Sequence, residues 1–272
     1  MAQVAQTTAK IRSAKAGGVL TITLDDPPAN TYSYEMMREL DAAILDARMD
    51  PSVHVIVITG AGEKFFCAGA NIGMLKDADP AFKYYFCLHA NETLNRLEQT
   101  PKLVIAALNG HTVGGGLEVA MAADIRVARQ GAGKIGMPEV ALGVLPGTGG
   151  TQRFARLVGK AKAIELMAAG ALFSFEEARD IGLVNHVWAE SELAGKSFAD
   201  AVDAYARQFT PPNKAARAVG HIKRAVQSGL ESGFGEGLAL ERELQQRLFE
   251  SEDAREGLAA NLEKRKPSFK GY

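Results

Sequence analysis

Glu118 and Glu139 are the residues of this chain whose surroundings point most directly to chemistry. Glu118 lies in the first turn of a predicted helix and is followed by Val-Ala-Met-Ala-Ala, a run that reads as buried. The positive end of a helix favours a carboxylate by about 0.3–1 kcal/mol, which would explain the residue at a surface. In a buried helix an unpaired charge is costly. Glu139 follows Pro138 in an otherwise apolar loop, where the plain alternative is a solvated carboxylate. Two carboxyl groups in unlike environments are what general acid–base catalysis uses. Spacing alone does not bring these two together, because they lie on different elements.

Three segments are rich in glycine: Phe66–Asn71 (FCAGAN), Asn109–Glu118 (NGHTVGGGLE) and Pro138–Arg153 (PEVALGVLPGTGGTQR). Each adjoins a predicted strand. Glycine lets a ligand approach the main chain, and a glycine turn that opens a helix presents free N–H groups. Such groups bind a phosphate or a developing oxyanion; the plain alternative is a tight strand–helix turn. Nucleotide fingerprints fail. Gly159-Lys160 is followed by Ala161, so no phosphate-binding loop is present, and no G-x-G-x-x-G stands between a strand and a helix. No G-x-S-x-G nucleophile elbow occurs either.

The elements that must position these segments are readable. Val19–Leu24 alternates as a half-buried strand does, and a helix after Ser33 carries Met36, Leu40, Ala43, Ile44 and Ala47 at helical spacing. Val53–Thr59, Leu103–Leu108 and Ile125–Ala128 are apolar runs expected in a sheet covered on both faces. Helices are expected over 81–98, after Gly114–Gly116, over 151–158 and over 160–169. Ser174–Glu177 fits a capping box. From about residue 151 the pattern turns helical, with three more helices after Pro211-Pro212. Strands alternating with helices predict an α/β fold, divided into a core at 1–195 and a helical region at 196–272.

Composition narrows the function. The 272 residues carry a net charge of −1, which gives no general attraction to nucleic acid or to an anionic membrane. The basic residues Lys214, Arg217, Lys223 and Arg224 read as a solvated helix face. The two cysteines, Cys67 and Cys87, form no metal-ligand spacing with the five histidines and read as free thiols. Met1–Lys10 lacks an apolar signal core, so a cytoplasmic location is expected. An aromatic cluster at Tyr84–Phe86 reads as core.

Taken together, VHVIVITGAGEKFFCAGAN (53–71), NGHTVGGGLEVAMAADIRVA, GMPEVALGVLPGTGGTQR, FEEARDIGLVNHV and the tail SEDAREGLAANLEKRKPSFK resemble the enoyl-CoA hydratase/isomerase (crotonase) family over nearly the whole chain. The resemblance implies a right-handed spiral of β-β-α units followed by helices that build homotrimers, often paired as hexamers. It implies an acyl-CoA substrate, with coenzyme A as part of that substrate and no separate cofactor or metal. It implies an oxyanion hole from the N–H groups of Ala70 and Gly115, catalysis by Glu118 and Glu139, and a water held with help from the Gly147 N–H. Coenzyme A would run along Ala68, Ala70 and Ile72, with Lys264 near its phosphate. Retention of both glutamates favours hydration of 2-enoyl-CoA to 3-hydroxyacyl-CoA, as in fatty-acid breakdown. Double-bond isomerisation is the alternative, and a non-catalytic binding protein is a third. Four departures stand out: Asn71 where Asp is usual, Met137 where some hydratases carry Gln, Asn261 at an often aromatic position, and Pro28-Ala-Asn-Thr31 in the early turn.

Overall fold

The computed structural model of the chain describes residues 9–272; most of the N-terminal stretch read for targeting lies outside them. The chain opens with a hairpin. β1 (Ile11–Ala16) pairs antiparallel with β2 (Val19–Leu24), turning at Gly17 and Gly18 with φ of +56° and +80°. Both positions need the left-handed region, which glycine enters without steric penalty. Ser33 then caps α1 (Tyr34–Met49), its hydroxyl accepting from Met36 N–H at 3.3 Å.

The chain next repeats one unit three times: a strand, a short strand, then a helix. β3 (Val55–Gly60) and β4 (Phe65–Cys67) lead to α2 (Ile72–Asp77) and α3 (Pro80–Glu98). β5 (Leu103–Leu108) and β6 (His111–Val113) lead to α4 (Gly115–Met121). β7 (Ile125–Arg129) and β8 (Ile135–Gly136) lead to a 3-10 turn at Glu139–Leu142, then α5 (Gly150–Val158) and α6 (Lys160–Ala168). β9 (Leu172–Phe173), α7 (Phe175–Asp180) and β10 (His186–Trp188) follow, then α8 (Phe198–Arg207), α9 (Ala216–Leu230), α10 (Phe234–Phe249) and α11 (Glu252–Leu262). The first strand of each unit joins a six-stranded sheet ordered β1-β2-β3-β5-β7-β10, and the second joins a four-stranded sheet ordered β4-β6-β8-β9. This is the spiral of β-β-α units that the family resemblance implies.

The central strands β3 and β5 of the large sheet are buried on both faces, as their unbroken apolar runs predict, whereas the edge strand β1 is largely exposed. Ile56, Ile58, Val104, Ala106 and Leu108 face the core under α1 and α3. The alternate residues Val55, Val57, Leu103, Ile105 and Ala107 face a second core closed by Val202 and Ala206 of α8. Six strands escape the sequence reading: β1, β4, β6, β8, β9 and β10. Most have two or three residues, too few to show a period. Two of them, β9 and β10, interrupt the region expected to be helical throughout. Among the described residues no helix is long and apolar enough to cross a membrane.

The basic face expected on α9 is not uniformly solvated. Lys223 is buried, donating to the Lys102 carbonyl at 3.1 Å and pairing with Asp124 at 2.8 Å. Asp124 also accepts from Val104 N–H at 2.7 Å and from Gln227 at 3.1 Å. Burial pushes the Lys223 pKa down and the Asp124 pKa up, and each charge opposes the other's shift. This pair fastens α9 to the start of β5 and the entry to β7. Lys223→Met leaves Asp124 buried without its cation, so we expect a stability loss of about 3–5 kcal/mol in urea unfolding. Lys223→Met with Asp124→Asn together should cost less than the sum of the single changes.

Candidate active site

The short parallel strands β4, β6 and β8 pair side by side, so their carboxyl ends lie together. Ligand sites in sheets of this kind form outside such ends. β4 runs into Gly69-Ala70, β6 into Gly114-Gly115 and β8 into Pro138-Glu139. Residue 70 forms a parallel bridge with Tyr32: Tyr32 N–H donates to Gly69 O at 3.0 Å and Asn71 N–H to Tyr32 O at 2.9 Å. In that pattern the N–H of Ala70 itself points away from the partner strand. Among the described residues, neither it nor the Gly115 N–H has a backbone acceptor outside regular elements.

The three glycines of the β6–α4 turn are each required. Gly114 has φ +57° and ψ −129°, a conformation essentially closed to other residues. A Cβ at Gly115 would collide with the Tyr32 hydroxyl, and one at Gly116 with the Cys67 carbonyl. The turn can therefore lie flat against β4, which brings Gly115 N–H beside Gly69. Gly114 N–H is anchored on Gly136 O at 2.9 Å.

Glu118 lies one turn into α4, a helix buried along its whole length, and is 2% exposed. Its carboxylate is satisfied by the loop before α5. Oε1 accepts from Thr148 N–H and from Gly150 N–H, each at 2.7 Å, and Oε2 accepts from the Thr148 hydroxyl. Burial raises its pKa, and these donors together with the Arg153 guanidinium oppose the rise. The loop is itself held by α3. Asn91 Nδ2 donates to Gly147 O at 3.2 Å, and Arg153 donates to Thr148 O at 3.4 Å while pairing with Glu98 at 2.7 Å.

Glu139 begins the 3-10 turn, and its environment differs. It is not the solvated carboxylate that a loop position suggests: its Oε2 is buried and has no hydrogen-bond partner. Its Oε1 side packs on Gly114, where an added Cβ would sit 2.9 Å away. Burial pushes its pKa to about 7; its own N–H pulls the other way and the Glu118 charge adds to the rise. Glu118 has three donors for its charged form whereas Glu139 Oε2 has none, so the proton that the pair retains below about pH 7 belongs on Glu139. The structure thus brings Ala70, Gly115, Glu118 and Glu139 to one end of the small sheet. The arrangement can polarise a carbonyl with main-chain donors, accept a proton on one side and deliver one on the other.

The other residues singled out in the sequence are placed as follows. Gly147 is in the loop that holds Glu118, and its N–H has no backbone acceptor among the described residues. Ala68 donates to Ala29 O at 3.1 Å, and Ile72 is exposed at the start of α2. Lys264 is exposed beyond α11 with φ +55°, and among the described residues no ion pair or side-chain hydrogen bond ties it to this group. Tyr84 and Tyr85 are exposed, unlike the core residues expected, whereas Phe86 is buried against Tyr32 with ring centroids 5.9 Å apart. Cys67 and Cys87 are free thiols, and burial pushes Cys67 up to about 12. Sequence reading misses Thr148 and Tyr32. Their only signal is a hydroxyl set between glycines and an aromatic residue in the early turn.

A profile described as enoyl-CoA hydratase/isomerase matches residues 14–272. The short-chain-enoyl-CoA hydratase of Clostridium acetobutylicum is 38% identical over 255 residues, covering 93% of this chain and 94% of that protein. An enoyl-CoA isomerase/hydratase of Mycosarcoma maydis is 34% identical over 267 residues, covering 95% of each. A solved enoyl-CoA hydratase of Geobacillus kaustophilus superposes with a TM-score of 0.93 at 44% identity, covering 98% of each chain.

The two carboxyl groups should titrate apart. In protein labelled with 13C at the glutamate carboxyls, the resonance lost in Glu139→Gln is expected to titrate near pH 7. Glu118→Gln removes the neighbouring negative charge, so the Glu139 value should fall.

Proposed function

Because this chain belongs to the enoyl-CoA hydratase/isomerase family, we propose that it adds water across the double bond of 2-enoyl-CoA thioesters, giving 3-hydroxyacyl-CoA. The observation that carries the reading is the unlike pair of carboxyl groups: Glu118 saturated with donors, Glu139 with a partnerless oxygen and a pKa of about 7. Hydration needs one base and one acid at once, whereas isomerisation needs one group to move a single proton.

In this mechanism the Ala70 and Gly115 N–H groups hold the thioester oxygen as it gains enolate charge. The Gly147 N–H helps hold a water between the carboxyl groups. Glu118 takes a proton from that water as its oxygen bonds to C3. Glu139 gives its proton to C2 as the enolate collapses. Water is thereby divided into hydroxyl on C3 and hydrogen on C2, and the proton on Glu118 returns to Glu139 to reset the site. Removing one such oxyanion donor costs about 2.7–4 kcal/mol in other enzymes; because these donors are main-chain groups, a side-chain substitution tests them only indirectly.

The coenzyme runs along the main chain of Ala68, Ala70 and Ile72 in this reading, and Lys264 serves its phosphate. Lys264 is exposed beyond α11, and we assign its role at the phosphate to the assembled particle. Residues 196–272 act as the assembly region. Ile222, Val226, Leu230, Phe234, Leu258 and Leu262 are apolar and exposed along α9 to α11, more than a lone surface usually leaves uncovered, which supports a trimer or a pair of trimers. We place the protein in the cytoplasm.

The purified protein should bleach the conjugated-thioester absorbance of a short 2-enoyl-CoA. Glu118→Gln and Glu139→Gln should each lower kcat/KM by about 10²–10⁴. Parent-like rates in both variants would sink the proposal, and conversion of 3-enoyl-CoA without water uptake would replace it with isomerisation. Glu139 must be protonated to act, so activity should fall as pH rises through about 7. Light scattering on a size-exclusion column should report a trimer or hexamer.

A further inference from the structure

We propose that Tyr32 and Thr148 form a hydroxyl chain that keeps Glu118 ionised and leaves its Oε2 as the atom that takes the proton from water. The proposal rests on the hydration reading for the identity of the reaction, and on geometry for the chain itself. Tyr32 Oη lies 3.3 Å from Thr148 Oγ, which in turn contacts Glu118 Oε2. All three side chains are buried.

Proton counting fixes the direction. An ionised carboxylate only accepts, and a threonine hydroxyl has one hydrogen. Thr148 spends that hydrogen on Glu118, so Tyr32 must donate to Thr148 Oγ. Burial, and then the Glu118 charge, push the Tyr32 pKa well above its ordinary value, so the phenol remains a donor. When Glu118 gains a proton on the other lone pair of Oε2, the Thr148 hydrogen bond stays where it is and no heavy atom has to move.

Lone-pair counting selects the oxygen. Oε1 accepts two main-chain N–H groups, so its acceptor sites are filled. Oε2 accepts only the Thr148 hydroxyl and has one site left. The base atom is therefore the one whose basicity Thr148 controls.

Tyr32 is well placed for this. Its main chain bridges Ala70, its ring packs on Phe86, and its hydroxyl fills the space left by the missing side chain of Gly115. One residue thus ties the Ala70 donor to the Glu118 base. The charged or titratable groups around Glu118 are Tyr32 from the early turn, Cys87 on α3, Glu139 on the 3-10 turn and Arg153 on α5. Arg153 favours the carboxylate, whereas Glu139, once ionised, opposes it.

Thr148→Val removes the hydroxyl and keeps the main-chain donor; Thr148→Ser keeps both; Tyr32→Phe removes only the outer link. A hydrogen bond to the charged form lowers a carboxyl pKa, so its loss raises it. In Thr148→Val the acidic limb of the kcat/KM profile on a short 2-enoyl-CoA should move up by about one pH unit, a tenfold loss on that limb. Tyr32→Phe should move it in the same direction by less, and Thr148→Ser should restore it. The 13C titration of the Glu118 carboxyl, read without substrate in folded protein, should shift likewise. If neither limb nor titration moves in Thr148→Val, or if Thr148→Ser behaves like Val, the chain has no such role. If the parent hydrates nothing yet the Glu118 titration shifts, the chain stands and the hydration reading falls.

Discussion

The carboxylate of Glu118 is buried in an apolar helix and survives there because one loop brings three donors to it. Leaving such a charge unpaired would shift its proton equilibrium or displace the helix. The loop that supplies the donors cannot be free to move, and it is not. Asn91 holds its Gly147 carbonyl, and Arg153 braces Thr148 while anchored on Glu98 and Asn95. The chain of dependence runs outward from the carboxylate to the loop, then to the flank of α3, and from α3 to the core beneath the large sheet. Gly150 belongs to it as well, since a Cβ there would press on Met137, Glu118 and Pro146 at 2.6–2.8 Å.

The small sheet provides the other half of the site by a geometric constraint. Parallel pairing of β4, β6 and β8 puts three strand exits next to one another, and each exit is a turn that exposes main chain. Ala70 keeps a free N–H because the bridge to Tyr32 uses the groups of its neighbours, Gly69 and Asn71. Gly115 keeps one because it is the first residue of a helix, where no preceding turn supplies an acceptor. Donors of this origin are preorganised: the strands that aim them also build the core. Glu139 sits at the third exit, pressed against Gly114, and lacks the donors that Glu118 enjoys.

Much of this was legible in the residues, for definite reasons. β5 and α1 could be read to within a residue or two because six apolar positions in a row and a regular apolar stripe leave few alternatives. The second sheet could not be read, because strands such as Ile135–Gly136 are shorter than any period. The two glutamates could be suspected from chemistry, but only the family resemblance put them together, since neighbourhood across a spiral is not encoded in spacing. Thr148 was hidden among glycines that looked like a simple turn. Lys223 looked solvated because its counterion, Asp124, is far away in sequence.

The departures from the family pattern bear on how the two carboxyl groups differ. Asn71 still caps α2, its amide oxygen accepting from Met74 N–H at 2.9 Å. The capping role survives there without a negative charge beside Ala70, where an enolate oxygen would need donors and no repulsion. Met137 is buried, with its methyl end against Gly150. A glutamine there would bring amide donors and an acceptor to the wall beside the carboxylates; methionine brings a polarisable, apolar surface. Burial raises a carboxyl pKa most where donors to the charged form are scarce. Glu118 has its own donors and is protected from that effect, while Glu139 Oε2 has none. The contrast between the two carboxyl groups therefore rests on the donors each one has, and the apolar wall at Met137 adds none to either.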